Sequence, residues 1–251
     1  MRIDKYLALL YGILLGDGSI GMYKCKGYQN KFNYNITITC NLLDDWPFIN
    51  EIVLPLLKRL TSRDIRPRDK SHNNTIRINF CNKNLFFFLR ELDFPVGKKA
   101  DKPYIPKIFY DKDLVKYVVQ GFFATDGSLV LTKNPNKYYP RIESKTTHKI
   151  LMKQIKDYLN ELGMNGYFYD YKFKKVDTRW KTVRKQYRFQ FNGKKNLILF
   201  SKLIGFVNPK QREKFERFLN YSREYDKLVE RIHVRDQKIY RLNNLNGVPG
   251  I

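Results

Sequence analysis

Leu10-Tyr11-Gly12-Ile13-Leu14-Leu15-Gly16-Asp17-Gly18, followed by Ser19, returns downstream as Val119-Gln120-Gly121-Phe122-Phe123-Ala124-Thr125-Asp126-Gly127, followed by Ser128. Gly12 maps to Gly121, Asp17 to Asp126 and Gly18 to Gly127, each 109 residues apart. A second match supports the first: Lys83-Asn84-Leu85 recurs as Lys195-Asn196-Leu197 at an offset of 112. In that register Phe88 meets Phe200, Phe94 meets Phe206 and Lys98 meets Lys210. Just upstream, Ile76-Arg77-Ile78-Asn79-Phe80 parallels Tyr187-Arg188-Phe189-Gln190-Phe191. Elements come in the same order in both halves, so the chain is a duplication.

Each half reads as a helix, two pairs of strands and further helices. Residues 34–39 alternate, with Asn35, Thr37 and Thr39 opposite Ile36 and Ile38. Residues 75–80 set Arg77 and Asn79 opposite Ile76, Ile78 and Phe80. Residues 141–144, 167–174 and 187–191 behave alike in the second half. Residues 42–60 and 148–162 are expected helices, the latter stopping at Gly163. Residues 84–92 and 196–204 are equivalent helices, and 210–232 form a closing amphipathic helix. The expected organisation is a first half over 1–98, a linker over 99–113 marked by Pro103 and Pro106, a second half over 114–232, and a polar tail over 233–251.

Composition bounds the partner. Lys and Arg number 48 against 24 Asp and Glu, a net charge of +24 that points to a polyanion, most often nucleic acid. A 43% hydrophobic content and 15% aromatics exclude a disordered basic tail. No apolar run of about 18 residues is present to span a membrane, and residues 7–15 lack the cleavage site of a signal peptide. Cys25, Cys40 and Cys81 have no C-x-x-C spacing, so with His72, His148 and His233 they form neither a zinc module nor a disulfide framework. A reducing, intracellular location with buried cysteines is expected.

Residues 7–15 and 115–124 are apolar on nearly all sides, as buried helices are. Gly12 with Gly16, and Gly121 with Thr125, put small residues on one face of each, where two backbones can approach. The two helices therefore pair about a pseudo-two-fold axis. Asp17 and Asp126 each fall in a last turn, before a glycine suited to a left-handed cap. A carboxylate is disfavoured beside the partial negative charge of a helix C-terminus. Bringing two such ends together gathers oxygens that repel unless a hard divalent cation sits among them, and Mg²⁺ suits best.

These residues resemble the LAGLIDADG homing endonucleases in the single-chain form with two motifs. The segments Gly97-Lys98-Lys99 with Ile105-Pro106, and Gly205-Phe206 with Asn208-Pro209-Lys210, are similar to family features too. The resemblance implies an α+β fold of two pseudo-symmetric αββαββα halves, whose antiparallel sheets form a saddle over double-stranded DNA. It further implies that Asp17 and Asp126, with the carbonyls of Gly16 and Thr125, hold Mg²⁺ or Mn²⁺ between the scissile phosphates for two-metal hydrolysis. Lys98 and Lys210 match the family's basic residue, with Lys99 an alternative to Lys98. Lys145 is a further candidate, its first-half counterpart near Cys40 or Asn41.

Arg77 with Asn79, and Arg188 with Gln190, suit reading of guanine and adenine edges in the major groove. Thr37, Thr39, Arg141, Glu143, Lys172 and Lys174 extend that face. Tyr167, Tyr169 and Tyr171 could stack on bases, though packing on the strand face is the commoner use. The expected function is a site-specific, metal-dependent, intron-encoded endonuclease that makes double-strand breaks as a monomer. The competing readings are an RNA maturase bound to its own intron RNA and a DNA-binding regulator. A start at Met1 and an end without a His-Asn pair argue against an intein.

Overall fold

The computed structural model describes residues 1–25, 27, 31–70, 74–99, 102–134, 137–177 and 182–223, with side chains for all but 69–70, 134, 137, 173–177 and 182–184. The expected tail lies outside the described residues. Helix α1 (Lys5–Asp17) starts where the Asp4 carboxylate accepts from the backbone N–H groups of Tyr6 and Leu7, both at 3.0 Å. It runs straight into β1 (Gly18–Lys24), which pairs antiparallel with β2 (Phe32–Asn41).

Asn41 then accepts from the N–H groups of Leu43 and Asp44, a local turn that holds residues 42–45 out of the helix expected there. Helix α2 (Trp46–Phe48) passes through a π-helical turn, Ile49–Val53, into α3 (Leu54–Thr61). The wider turn lies just ahead of Pro55, whose ring and missing N–H disfavour a regular α-helix. A short β3 (Arg68–Lys70), β4 (Thr75–Cys81) and α4 (Lys83–Glu91) complete the first half.

The second half repeats the plan. Helix α6 (Val115–Asp126) leads into β5 (Gly127–Asn134), β6 (Lys137–Thr146), α7 (Lys149–Glu161), β7 (Gly166–Asp177), β8 (Thr182–Asn192) and α8 (Gly193–Leu203). Helix α9 occupies 209–223 of the closing helix. The sheet orders β1-β2-β4-β3 and β5-β6-β8-β7 are the same order written twice.

The described linker residues, 99 and 102–113, are structured. They include α5 (Lys107–Asp111), with Phe109 buried against the ring of Tyr11 at 4.9 Å. Ile105 exchanges two backbone hydrogen bonds with the side-chain amide of Gln154, at 2.8 and 3.0 Å, which ties the linker to α7. Of the cysteines only Cys40 is buried, while Cys25 is half-buried and Cys81 exposed.

At the centre α1 crosses α6 with no side chain between the backbones. A Cβ added to Gly12 would lie 2.0 Å from the Val118 carbonyl oxygen, and one added to Gly121 2.2 Å from that of Leu9. Gly18 and Gly127 differ from the expected left-handed caps. Their φ values, −104° and −87°, are extended. Glycine is required there by space, because an added Cβ would meet Leu14 at 2.3 Å and the Phe123 ring at 2.2 Å. Each strand folds directly back along its own helix.

Gly12→Ala and Gly121→Ala are each expected to destabilise the fold by about 3 kcal/mol or more, since backbone rather than a flexible side chain must yield. Urea unfolding followed by circular dichroism measures this.

Candidate active site and nucleic-acid face

The crossing of α1 and α6 puts Asp17 and Asp126 at the meeting point of two helix C-termini. A Cβ on Gly16 would lie 2.1 Å from Thr125 Oγ1 and 3.4 Å from the Asp126 carboxyl carbon, so the Asp126 carboxyl packs over the first motif. Burial, then the Asp126 and Asp45 carboxylates, push the Asp17 pKa from 3.8 up to about 7, with Lys99 opposing. Burial also raises Asp126, and Lys99 again opposes.

Lys99 is the cation of this cluster. Its Nζ donates to the carbonyls of Leu15 (2.7 Å) and Gly16 (2.5 Å), the free end of α1. Burial lowers its pKa to about 8, with Asp126 and Asp17 working the other way. The equivalent end of α6 is closed without charge. Asn208 Nδ2 donates to the Ala124 carbonyl (2.8 Å), and Gln211 Nε2 to those of Phe123 (2.8 Å) and Gly127 (3.0 Å). Lys99 to Leu15 and Asn208 to Ala124 are thus the same contact in the two halves, Asn208 standing where the first half has lysine.

Lys98 and Lys210 occupy other places. Lys98 is exposed. Lys210 donates to the exposed Asp44 carboxylate at 2.8 Å. It lines a cavity of about 120 Å³ with Asp45, Thr125, Ser128, Gln211 and Lys214, on the α6 side of the acids. The offset of 112 does not carry through this segment, because Lys99 comes five positions after Phe94 while Asn208 comes two positions after Phe206. Asp45 and Gln211 carry no signal in the sequence, the Asp44-Asp45 pair resembling ordinary helix-start chemistry, while Asn208 is marked only through the Asn208-Pro209-Lys210 segment and not by its contact with Ala124.

Among the described residues no group of three or more His, Cys, Asp or Glu is arranged to hold a metal. The donors present are two carboxylates and neighbouring backbone carbonyls, a hard all-oxygen set that fits Mg²⁺ or Mn²⁺. With both acids ionised and one lysine charged, the cluster keeps a net negative charge, which favours a cation there.

The sheet faces carry the expected reading residues on their outward sides. In the first sheet Thr37 lies opposite Asn79 and donates to its Oδ1 at 3.2 Å, while Thr39 lies opposite Arg77. In the second, Glu143 lies opposite Gln190 and Lys145 opposite Arg188. Gly18 pairs with Ile38 and Gly127 with Ser144, so the counterpart of Lys145 is Thr39, neither Cys40 nor Asn41. By the same register Glu143 corresponds to Thr37 and Arg141 to Asn35. Lys172 is exposed opposite Lys185, and the Lys174 side chain lies outside the described residues. Along the outer strand Tyr169 stacks on Tyr171 with ring centroids 5.8 Å apart, and Tyr167 lies tilted against Tyr169 at 6.4 Å.

Two buried, glycine-crossed helices end in paired acids, and each helix leads directly into a four-stranded sheet. Residues 113–205 match the model of a LAGLIDADG-like domain. The chain has the LAGLIDADG homing-endonuclease fold in its single-chain form with two motifs. Mesophilic variants of the homing endonuclease I-DmoI superpose with a TM-score of 0.55 at 16% identity, over 81% of this chain and 98% of theirs. The I-LtrWI LAGLIDADG homing endonuclease bound to target DNA superposes with a TM-score of 0.56 at 11% identity, over 99% of both chains. A DNA polymerase of Thermococcus kodakarensis is 20% identical over 244 residues. That match takes in 94% of this chain and 13% of the polymerase, so the chain spans a small part of that relative's length.

The Asp17 shift sets a pH dependence. An acid whose folded pKa, about 7, lies above its ordinary 3.8 stabilises the fold below about pH 4 and loses that contribution as pH rises through about 7. Without metal, the melting temperature of the wild type is expected to fall over that interval. Asp17→Asn reduces this fall, leaving the part due to Asp126, and melts higher than wild type at about pH 8 in EDTA, as differential scanning calorimetry would register.

Proposed function

We propose that the protein is a metal-dependent DNA endonuclease that cuts both strands of a long, specific target as a monomer. The observation that supports this most is the meeting of Asp17 and Asp126, at equivalent repeat positions, where two helix C-termini make unneutralised carboxylates expensive. A buried acid pair of this kind destabilises the fold, and its presence in both repeats is accounted for by the chemistry it allows.

In this reading Asp17 and Asp126, with the carbonyl oxygens of Gly16 and Thr125, hold Mg²⁺ or Mn²⁺. The Gly16 carbonyl accepts from Lys99 and keeps a second lone pair for a metal. Bound there, the cations supply positive charge to the attacking oxygen and to the leaving oxygen of the phosphodiester. Lys99 orients the end of α1 and carries a proton on Nζ beside the scissile phosphate, within reach of a non-bridging oxygen. On the other side Lys210 and Lys214 present cations to the second strand, Lys210 after release from Asp44. Lys98 meets backbone phosphate at the rim.

The neutral Asn208 opposite Lys99 makes the two strand-cutting centres unequal. Crystal structures of I-DmoI contain DNA with Mn and DNA with Ca, which supports the same partners here. Duplication supports a monomer, since one chain provides both half-site surfaces. The intron-encoded origin is taken from the family resemblance.

Cleavage of a randomised duplex library tests the reading. Wild type is expected to cut a narrow set of sequences with Mg²⁺ and none in EDTA, and Asp17→Asn or Asp126→Asn to leave background only. Lys99→Met is expected to slow one strand about 10²-fold more than the other, so that nicked DNA accumulates. Binding without cutting under every metal tried would overturn the proposal.

A further inference from the structure

One acid stands in the middle of the second sheet's outward face. Glu143 Oε2 lies 2.6 Å from Arg141 Nε, two residues earlier on β6, and is bonded by Arg188 Nη2 from the neighbouring β8. All three side chains are sheltered, at 28%, 19% and 25% exposure for Arg141, Glu143 and Arg188. Arg141 Nε is buried and off the direction of a hydrogen bond, so charge rather than directed bonding holds that side chain in place. The first sheet has no equivalent. Asn35, Thr37 and Arg77 occupy the matching positions, and Arg77 is exposed between Thr39 and Arg68 in the ladder.

A carboxylate on a face turned to DNA repels the phosphate backbone. On a chain of net charge +24 general attraction is plentiful, and one acid on this face changes it little. What it does change is the freedom of two arginines. A loose guanidinium in a groove finds phosphate, which adds affinity without sequence information. Arg188, bonded by the carboxylate, keeps its remaining N–H groups in a set direction, as bidentate recognition of guanine requires, while Arg141 is drawn to the same oxygen by charge. The rotamers of Arg188 are also already ordered before DNA arrives.

We propose that Glu143 is a specificity-determining residue, which withholds Arg141 and Arg188 from phosphates and presents them to base edges. The inference rests on the DNA-binding reading above. Specificity here is gained by making non-target binding worse, not by adding a contact to the target.

The test is Glu143→Gln, which keeps the shape and removes the charge. Binding to a random-sequence DNA duplex is followed by fluorescence anisotropy across a salt series. The slope of log K against log salt is expected to steepen by about 0.9 for each phosphate newly met, so by about one to two in all. Random duplex should be bound more tightly, and a broader set of sequences should be enriched from a randomised pool. In an Arg141→Gln/Arg188→Gln background the same substitution is expected to leave the slope unchanged.

An unchanged slope with a lowered melting temperature would make the cluster a structural ion pair and overturn the inference. So would loss of affinity confined to sequences with cytosine at one position, since Glu143 would then read a base itself. Wild type that binds no duplex at any salt would overturn the DNA-binding reading as well.

Discussion

The contact on which everything else depends is between backbones. Val118 and Leu9 present carbonyl oxygens to the space that side chains at Gly12 and Gly121 would fill. Only with hydrogen at both positions can α1 and α6 cross this closely, and the crossing decides where each helix ends. Both ends then fall side by side, with the acids on them. Because Gly18 and Gly127 turn each chain straight back into a strand, the same crossing also decides where β1 and β5 begin. Site and sheets are therefore positioned by one packing event, with no loop of adjustable length between them.

That economy has an electrostatic cost. Two helix ends, two desolvated carboxylates and Asp45 nearby concentrate negative charge where water is largely excluded, and Lys99 offsets only part of it. The surrounding protein tolerates this because most of the two helices is buried and apolar, including Leu7, Leu10, Ile13 and Leu14 in α1 and Val118, Val119, Phe122 and Phe123 in α6. The stability of the helix pair carries the instability of its tips. Proteins generally accept such local frustration where charge must be ready for chemistry.

Much of this was legible in the sequence. The duplication could be read because motif and strand patterns survive in both halves, and the buried helices because nearly every residue in them is apolar. The roles of Gly12 and Gly121 followed from their spacing. What escaped had particular causes. The left-handed cap assigned to Gly18 and Gly127 came from a general preference at helix ends, while the reason in the fold is contact with Leu14 and Phe123. Lys98 was paired with Lys210 because a fixed offset ignores the three-residue shortening before Asn208. The capping roles of Asn208 and Gln211 carry no signature, even though Asn208 lies in a segment similar to a family feature, since an amide capping a distant carbonyl is visible only in three dimensions. The clasp of Glu143 on two arginines belongs to the same class. Alternation put the residues on one face, and side-chain direction alone brings them together.

The lysine-for-asparagine difference between the halves bears on how freely they could be recombined. Two copies of the first half would bring two ammonium groups to two carboxylates and leave little charge for a metal to balance. Two copies of the second would bring none and leave both acids to repel. The halves are therefore not equivalent in charge at the crossing, even though they share one order of elements. Fusion into one chain lets the halves drift apart in sequence while remaining complementary, and the linker, pinned through Phe109 to α1 and through Ile105 to α7, keeps each beside the one partner it suits.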